Sequence, residues 1–153
     1  MLLLPRRVAV KRFVHQLSKR TRMSAVRAVA DGCVVAVTMK RRGVRPLLSG
    51  LGNHGDVIDP LQARRVAQAV DAGLGLVPAR PTCLRRSLVL LRELRRFGLD
   101  ATLHIGVRNE NAVVLAHAWI QVGDEVVNDD RAITDRFLSI AAGELEVLLP
   151  RFT

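Results

Sequence analysis

Tyrosine is missing from this chain, and aromatic residues of all kinds make up only 3% of its 153 positions. The core must therefore be built from Leu, Val, Ile and Ala, which is feasible because 49% of the chain is hydrophobic. The shortage of rings also argues against binding single-stranded nucleic acid, which relies on several exposed aromatic platforms. Cysteine is scarce as well. Cys33 and Cys83 stand 50 positions apart, and neither has a close cysteine neighbour. No disulfide framework is expected from that spacing, and a reducing compartment is the simpler setting. No apolar stretch reaches the ~18 uncharged residues that a membrane span needs. Met1-Leu2-Leu3-Leu4 is cut short by Pro5-Arg6-Arg7 before a secretory hydrophobic region can form. One soluble, cytoplasmic domain is expected.

Acidic residues are short in one place only. Residues 1–45 hold twelve Lys or Arg against a single acid, Asp31, a balance of +11, whereas the remaining residues hold twelve basic and thirteen acidic ones, a balance of −1. The net charge of +10 is therefore a property of an N-terminal segment, and the rest of the chain is near neutral. Such a segment suits an acidic peptide or protein partner, which we favour over anionic lipid or nucleic acid.

Helical spacing of Val26, Val29, Cys33, Val34 and Val37 predicts one or two helices over 5–42, although the β-branched run from Val34 to Thr38 also suits a strand. On that apolar stripe Cys33 reads as a small buried hydrophobe. Residues 43–59 read as a loop. Gly50-Leu51-Gly52-Asn53-His54-Gly55 matches G-x-G-x-x-G by letter, but Pro46 leaves no room for the strand that a dinucleotide site needs before it. Nor does any helix open at its third glycine, so no nucleotide cofactor is expected.

Asp59, Pro60 and Gln62 form a capping-box start for a helix that ends near Gly73 or Gly75. Thr82 caps the next one, which Gly98 closes, with Cys83, Ser87, Leu90 and Leu94 on one stripe and Arg85, Arg92 and Arg96 on the opposite, solvated face. Alternation then predicts strands over 101–108, 113–122 and 125–129. Turns are expected at Asn109-Glu110-Asn111 and Gly123-Asp124. The tail from Ile133 to Leu149 reads as helical. Helices followed by an antiparallel meander give an α+β domain.

A thiol attacks as the thiolate, and a helix N-terminus or a neighbouring imidazole favours that anion. Cys83 stands at a predicted helix start. Of the four histidines, His15 and His54 lie in the basic segment and the glycine loop, and His104 reads as a partly exposed strand residue. His117 lies inside the longest strand between Ala116 and Ala118, on the face of Trp119. That setting is closed and poor in water, and a histidine buried there needs a partner. The hairpin at Gly123-Asp124 brings Val126–Asp129 back toward it, so that Asp129 can accept the imidazole Nδ1–H; Asp130 is the alternative carboxylate. A metal site built from Cys83, His117 and Asp129 lacks any close ligand pair to anchor it, and none is expected.

Pro81-Thr82-Cys83-Leu84-Arg85-Arg86-Ser87-Leu88, Ile105-Gly106-Val107-Arg108, Ala116-His117-Ala118-Trp119 and Asn128-Asp129, in this order and spacing, resemble the transglutaminase-like leader peptidases of lasso-peptide biosynthesis. The resemblance covers roughly residues 60–130. It implies a transglutaminase-like or papain-like core over 46–153, with N-terminal helices on a small antiparallel sheet and residues 1–45 as a basic, mainly helical extension. It also implies a cysteine peptidase, without metal or cofactor, that removes the leader from a ribosomally made precursor. Cys83 would be the nucleophile, His117 its base and Asp129 the orienting acid. The implied partners are the precursor leader, a separate small leader-recognition protein and a cyclase; nucleic acid is not among them, and a membrane surface is not favoured. Two other readings are open: acyl transfer to an amine by the same triad, and a basic binding protein in which Cys83 is inert.

Overall fold

The computed structural model describes residues 19–48, 55–77 and 80–141. The predicted helix before Lys19, most of the glycine loop and the tail beyond Ala141 lie outside these residues. The elements are α1 (Lys19–Arg42), α2 (Arg45–Leu48), α3 (Pro60–Leu74), α4 (Cys83–Arg96), β1 (Thr102–Glu110), β2 (Val113–Val122), β3 (Glu125–Val126), α5 (Ile133–Arg136) and β4 (Leu138–Ala141). All strand pairs are antiparallel in one four-stranded sheet of order β3-β2-β1-β4. The chain is α+β, as its pattern predicts. Among the described residues no helix is long and apolar enough to cross a membrane.

Local chemistry accounts for the two helices that were legible in advance. Asp59 Oδ1 accepts the Gln62 N–H at 2.9 Å, Pro60 takes the first helical position, and Gly75 follows the last turn of α3. Thr82 Oγ1 accepts the Arg85 N–H at 3.3 Å at the start of α4. At its other end the Gly98 N–H reaches the Arg95 carbonyl at 2.9 Å and the Leu99 N–H the Leu94 carbonyl at 3.1 Å. This Schellman pattern requires the φ of +71° that Gly98 adopts.

Helix α4 is the central element. It contacts β1 and β2 on one side and α1 and α3 on the other, and Ser87, Leu88, Val89, Leu90, Leu91, Glu93 and Leu94 are all buried. Leu103, Ala118, Ile120 and Val122 join it from the sheet, and Val66, Ala67, Val70 and Leu74 from α3. A smaller cluster of Trp119, Val126, Ile133 and Phe137 is separate from it.

Several expectations need correction. The Val26–Val37 stripe of α1 faces outward: Val26 is 65% exposed, and Cys33, Val34 and Val37 are also exposed rather than buried. The buried face carries Ser24, Ala25, Ala28, Gly32 and Val35 instead. The reason is a close crossing of α1 with α3, which selects small residues rather than large apolar ones. A Cβ on Gly73 would lie 2.1 Å from the Ala25 carbonyl oxygen, so this glycine is also a contact point, in the last turn of an α3 that ends where expected, at Leu74. Arg92 and Arg96 do not simply face solvent, because both pair with Asp31 of α1, and Arg96 also bonds the fully buried Glu93. The lone acid of the basic segment thus ties α1 to α4. Burial lowers the pKa of neighbouring Arg95, whereas the hydrogen bond to Asp31 holds that of Arg96 above its ordinary value.

The loop over 43–59 contains the short helix α2, and Val57 bridges to Leu99. The first hairpin turns at Asn111 and Ala112, with φ of 50° and 63°, one step later than predicted; two positive φ values match the right-handed twist of the flanking strands. The third strand pairs only over Glu125–Val126, three residues short of the expected end at Asp129. The tail is not one helix: α5 stops at Phe137, whose backbone is extended, and β4 then pairs with the free edge of β1.

The α1–α3 crossing makes a testable distinction. Ala at 73 must push the helices apart against backbone, whereas a Cβ on Gly32 meets only the movable end of Leu74, at 2.8 Å. Gly73→Ala should cost about 1–3 kcal/mol by overpacking. Gly32→Ala should cost less, because the end of Leu74 can move aside, and the gain of up to about 1 kcal/mol from removing a helical glycine is common to both variants. Thermal unfolding of both variants checks the order, and equal melting temperatures would contradict it.

Candidate active site

Cys83 is the first residue of α4 and is partly buried against the main core. His117 is on β2, where it stands opposite Gly106 of β1, while Trp119 stands opposite His104. Cross-strand partners share a face, so these four line one side of the sheet. The Trp119 ring is fully buried and lies between two imidazoles, with centroids 5.7 Å from His104 and 6.4 Å from His117 and planes tilted by 12° and 20°. Phe137, arriving from the end of α5, comes within 5.6 Å of His117, and Arg108 lies over its ring at 5.1 Å. His104 is thus a stacking member of this wall rather than a bystander.

Asp129 Oδ2 lies 2.7 Å from His117 Nε2, and Asp129 Oδ1 accepts the Asp130 N–H at 2.8 Å. Asp130 is exposed and accepts instead from the Ala132 N–H at 3.0 Å, so it holds the following turn. The expected nitrogen needs correction: the carboxylate meets Nε2, not Nδ1. It arrives from the loop beyond β3 and reaches the end of the ring farther from the strand backbone, which leaves Nδ1 clear of it. The setting is also less closed than predicted, with the His117 side chain 26% and Asp129 25% exposed.

The helix start and the His117–Asp129 pair are joined through their neighbours. Ser87 Oγ, one turn along α4 from Cys83, donates to the Ala118 carbonyl at 3.0 Å. Asn128 Nδ2 donates to Ser87 Oγ at 3.0 Å, and Asn128 Oδ1 accepts the Ile120 N–H at 2.8 Å. Arg86 forms two bonds of 2.6 Å to Asp71 of α3. Its pKa is raised, first by the hydrogen bond to Asp71, against the effect of burial, and further by the charges of Asp71 and Asp129. No hydrogen bond joins Cys83 to His117 among the described residues. Nor do those residues contain a group of three His, Cys, Asp or Glu that could hold a metal ion.

A family model described as the transglutaminase-like superfamily matches residues 28–142. The chain belongs to that superfamily. The match runs from α1 to the end of the sheet, so it takes in every residue of the site described above. The transglutaminase-like chain is also 39% identical over 59 residues to the microcin J25-processing protein McjB of Escherichia coli. That alignment covers 39% of this chain and 27% of the length of McjB. No solved structure matches the chain.

Sequence reasoning quoted Gly106 and Asn128 in the matching motifs without giving either a role, and it passed over Phe137. The signal for Gly106 was its place inside a strand, where glycine marks a close approach. A Cβ there would lie 2.8 Å from two atoms of the Trp119 ring and 2.7 Å from Phe137 Cβ. Gly106→Ala should therefore displace the indole. Because Trp119 is the single tryptophan, its fluorescence reports this directly: a red-shifted emission maximum in a folded variant is expected, and an unchanged spectrum would count against the contact.

Proposed function

We propose that this chain is a cysteine peptidase that removes the leader from a ribosomally made lasso-peptide precursor in the cytoplasm. Cys83 is the nucleophile, His117 the general base and Asp129 its orienting acid. The observation that carries the reading is the 2.7 Å contact between His117 Nε2 and Asp129 Oδ2, in a transglutaminase-like chain whose Cys83 opens a capped helix. The likeness to McjB, named for processing microcin J25, supports the choice of substrate.

With Nε2 donating to the carboxylate, Nδ1 is the nitrogen left to exchange a proton with Cys83 Sγ. The resulting thiolate attacks the scissile carbonyl. Collapse of the tetrahedral adduct breaks the C–N bond, and the imidazolium gives its proton to the departing amine, which becomes the N-terminus of the core peptide. Water then hydrolyses the thioester, His117 taking up the proton it loses, and the leader leaves with a free carboxylate. The Cys83 backbone N–H, at the helix start, is suited to donate to the oxyanion. The basic region over 1–45 meets the leader or a separate leader-recognition protein, and a cyclase acts on the freed core. In this reading residues 46–153 form the peptidase domain.

Incubation with a precursor peptide and the leader-recognition protein, read by mass spectrometry, tests this. Wild type should release leader and core as two masses that sum to the precursor plus water. Cys83→Ala should release neither, and Asp129→Asn should slow release about 10²- to 10⁴-fold while still binding substrate. A leader mass carrying an added amine instead of water would point to acyl transfer, and cleavage by Cys83→Ala would remove the nucleophile from the account.

A further inference from the structure

We infer that Ser87 and Asn128 are positioning residues that fix the seat of the Cys83 helix against the His117–Asp129 pair; this rests on the triad reading proposed above. Each hydrogen bond they make touches the immediate neighbourhood of one triad member. Ser87 is one helical turn from Cys83. Its hydroxyl donates to the carbonyl of Ala118, next to His117, and accepts from the amide of Asn128, next to Asp129. The Asn128 carbonyl oxygen in turn holds the Ile120 N–H of β2.

The arrangement answers a need of the strand itself. Strand β3 pairs with β2 only at Gln121 and Val122, and the last backbone bond beyond it runs from the Val127 N–H to the Ile120 carbonyl, at 3.1 Å. The Ile120 N–H and Ala118 carbonyl on that edge would otherwise be bare, and both residues are buried. Two side chains take the place of the missing strand. One belongs to the nucleophile helix and the other to the loop that carries Asp129.

Leu88, Leu90, Leu91 and Leu94 of α4 join the sheet residues in one apolar cluster, and apolar contacts carry no directional preference. Leucines and valines tolerate a helix that slides or rolls by a fraction of a turn. Hydrogen bonds of 2.8–3.0 Å do not. The chain therefore places a directional joint, enclosed in the protein (Ser87 and Asn128 are buried), where an error of position would separate a thiol from its base.

The test uses the full chain with the exposed Cys33 replaced by Ser, so that Cys83 is the one thiol left. The rate of Cys83 alkylation by iodoacetamide at pH 6.5 and the kcat and KM for precursor cleavage are measured for Ser87→Ala, Asn128→Asp and Ser87→Thr. Val66→Ala serves as a core-loss control in α3, away from the joint. Asn128→Asp keeps the shape of the side chain but not its donor. Ser87→Ala and Asn128→Asp should slow both alkylation and kcat at least about tenfold with little change in KM, since a small misplacement of reacting groups costs that much or more. Ser87→Thr, which keeps the hydroxyl, should rescue the alkylation rate, and Val66→Ala should leave it near wild type despite a lower melting temperature. Wild-type alkylation and kcat in folded Asn128→Asp would overturn the proposal even if Ser87→Ala did not fold. Equal slowing by Val66→Ala would overturn it too, by making stability the cause. Cleavage by Cys83→Ala would instead overturn the triad reading, and this proposal with it.

Discussion

A strand that stops pairing too early leaves backbone polar groups inside the protein, and this constraint organises the centre of the fold. Beyond Val122 and Gln121, β2 has no strand on the β3 side, yet it runs through the most enclosed part of the molecule. A buried and unsatisfied amide or carbonyl costs about 1–3 kcal/mol, a large share of the stability of a domain this size. The chain meets the cost with Ser87 and Asn128. The loop released from the sheet is then free to turn Asp129 toward the ring of His117. Short pairing and a well-placed carboxylate are two aspects of one local solution.

Around that centre, charge and size divide the labour of packing. Helix α1 has few large apolar residues to bury, and it approaches α3 closely through Ala25, Gly32 and Gly73. Ionic pairs add to its attachment to α4, through Asp31 to Arg92 and Arg96 and through Arg27 to the buried Glu93. Glu93 is fully enclosed and tolerable only because guanidinium groups reach it. Arg86 repeats the pattern at the other end of α4, where Asp71 secures the first turns against α3. Of these structural arginines Arg27 alone belongs to the basic segment over 1–45, while Arg86, Arg92 and Arg96 lie in the near-neutral remainder.

The sequence was legible where local chemistry decides. Caps at Asp59 and Thr82, the glycine stop at Gly98, the hairpin at Gly123 and the alternation of β2 each carry their own signal within a few residues, and together they dictate the α+β class. The hairpin foretold that a carboxylate of Asp129-Asp130 returns to His117, with Asp129 preferred and Asp130 left open, but not the choice of ring nitrogen, since it depends on how far the loop reaches. Long-range context decided the rest. The valines of α1 look like a core stripe because nothing local announces that α3 comes too close for them. Strand β4 was hidden because a short segment such as Leu138-Ser139-Ile140-Ala141 becomes a strand only when the edge of β1 is free to receive it. Ser87 was noticed on the Cys83 stripe, but a lone hydroxyl among leucines does not say what it bonds.

Gly106 has one more implication. It contributes no side chain to the wall of Trp119, His117 and Phe137, and no chemistry to any reaction there. Yet the space it leaves vacant is occupied by the rings themselves. In a saturation library scored for activity, this position should rank with residues that bear functional groups, since every one of its nineteen replacements adds at least a Cβ. Sensitivity to substitution in such a map measures occupied volume as much as chemistry, and here the two can be told apart only because the structure shows what the missing atom would strike.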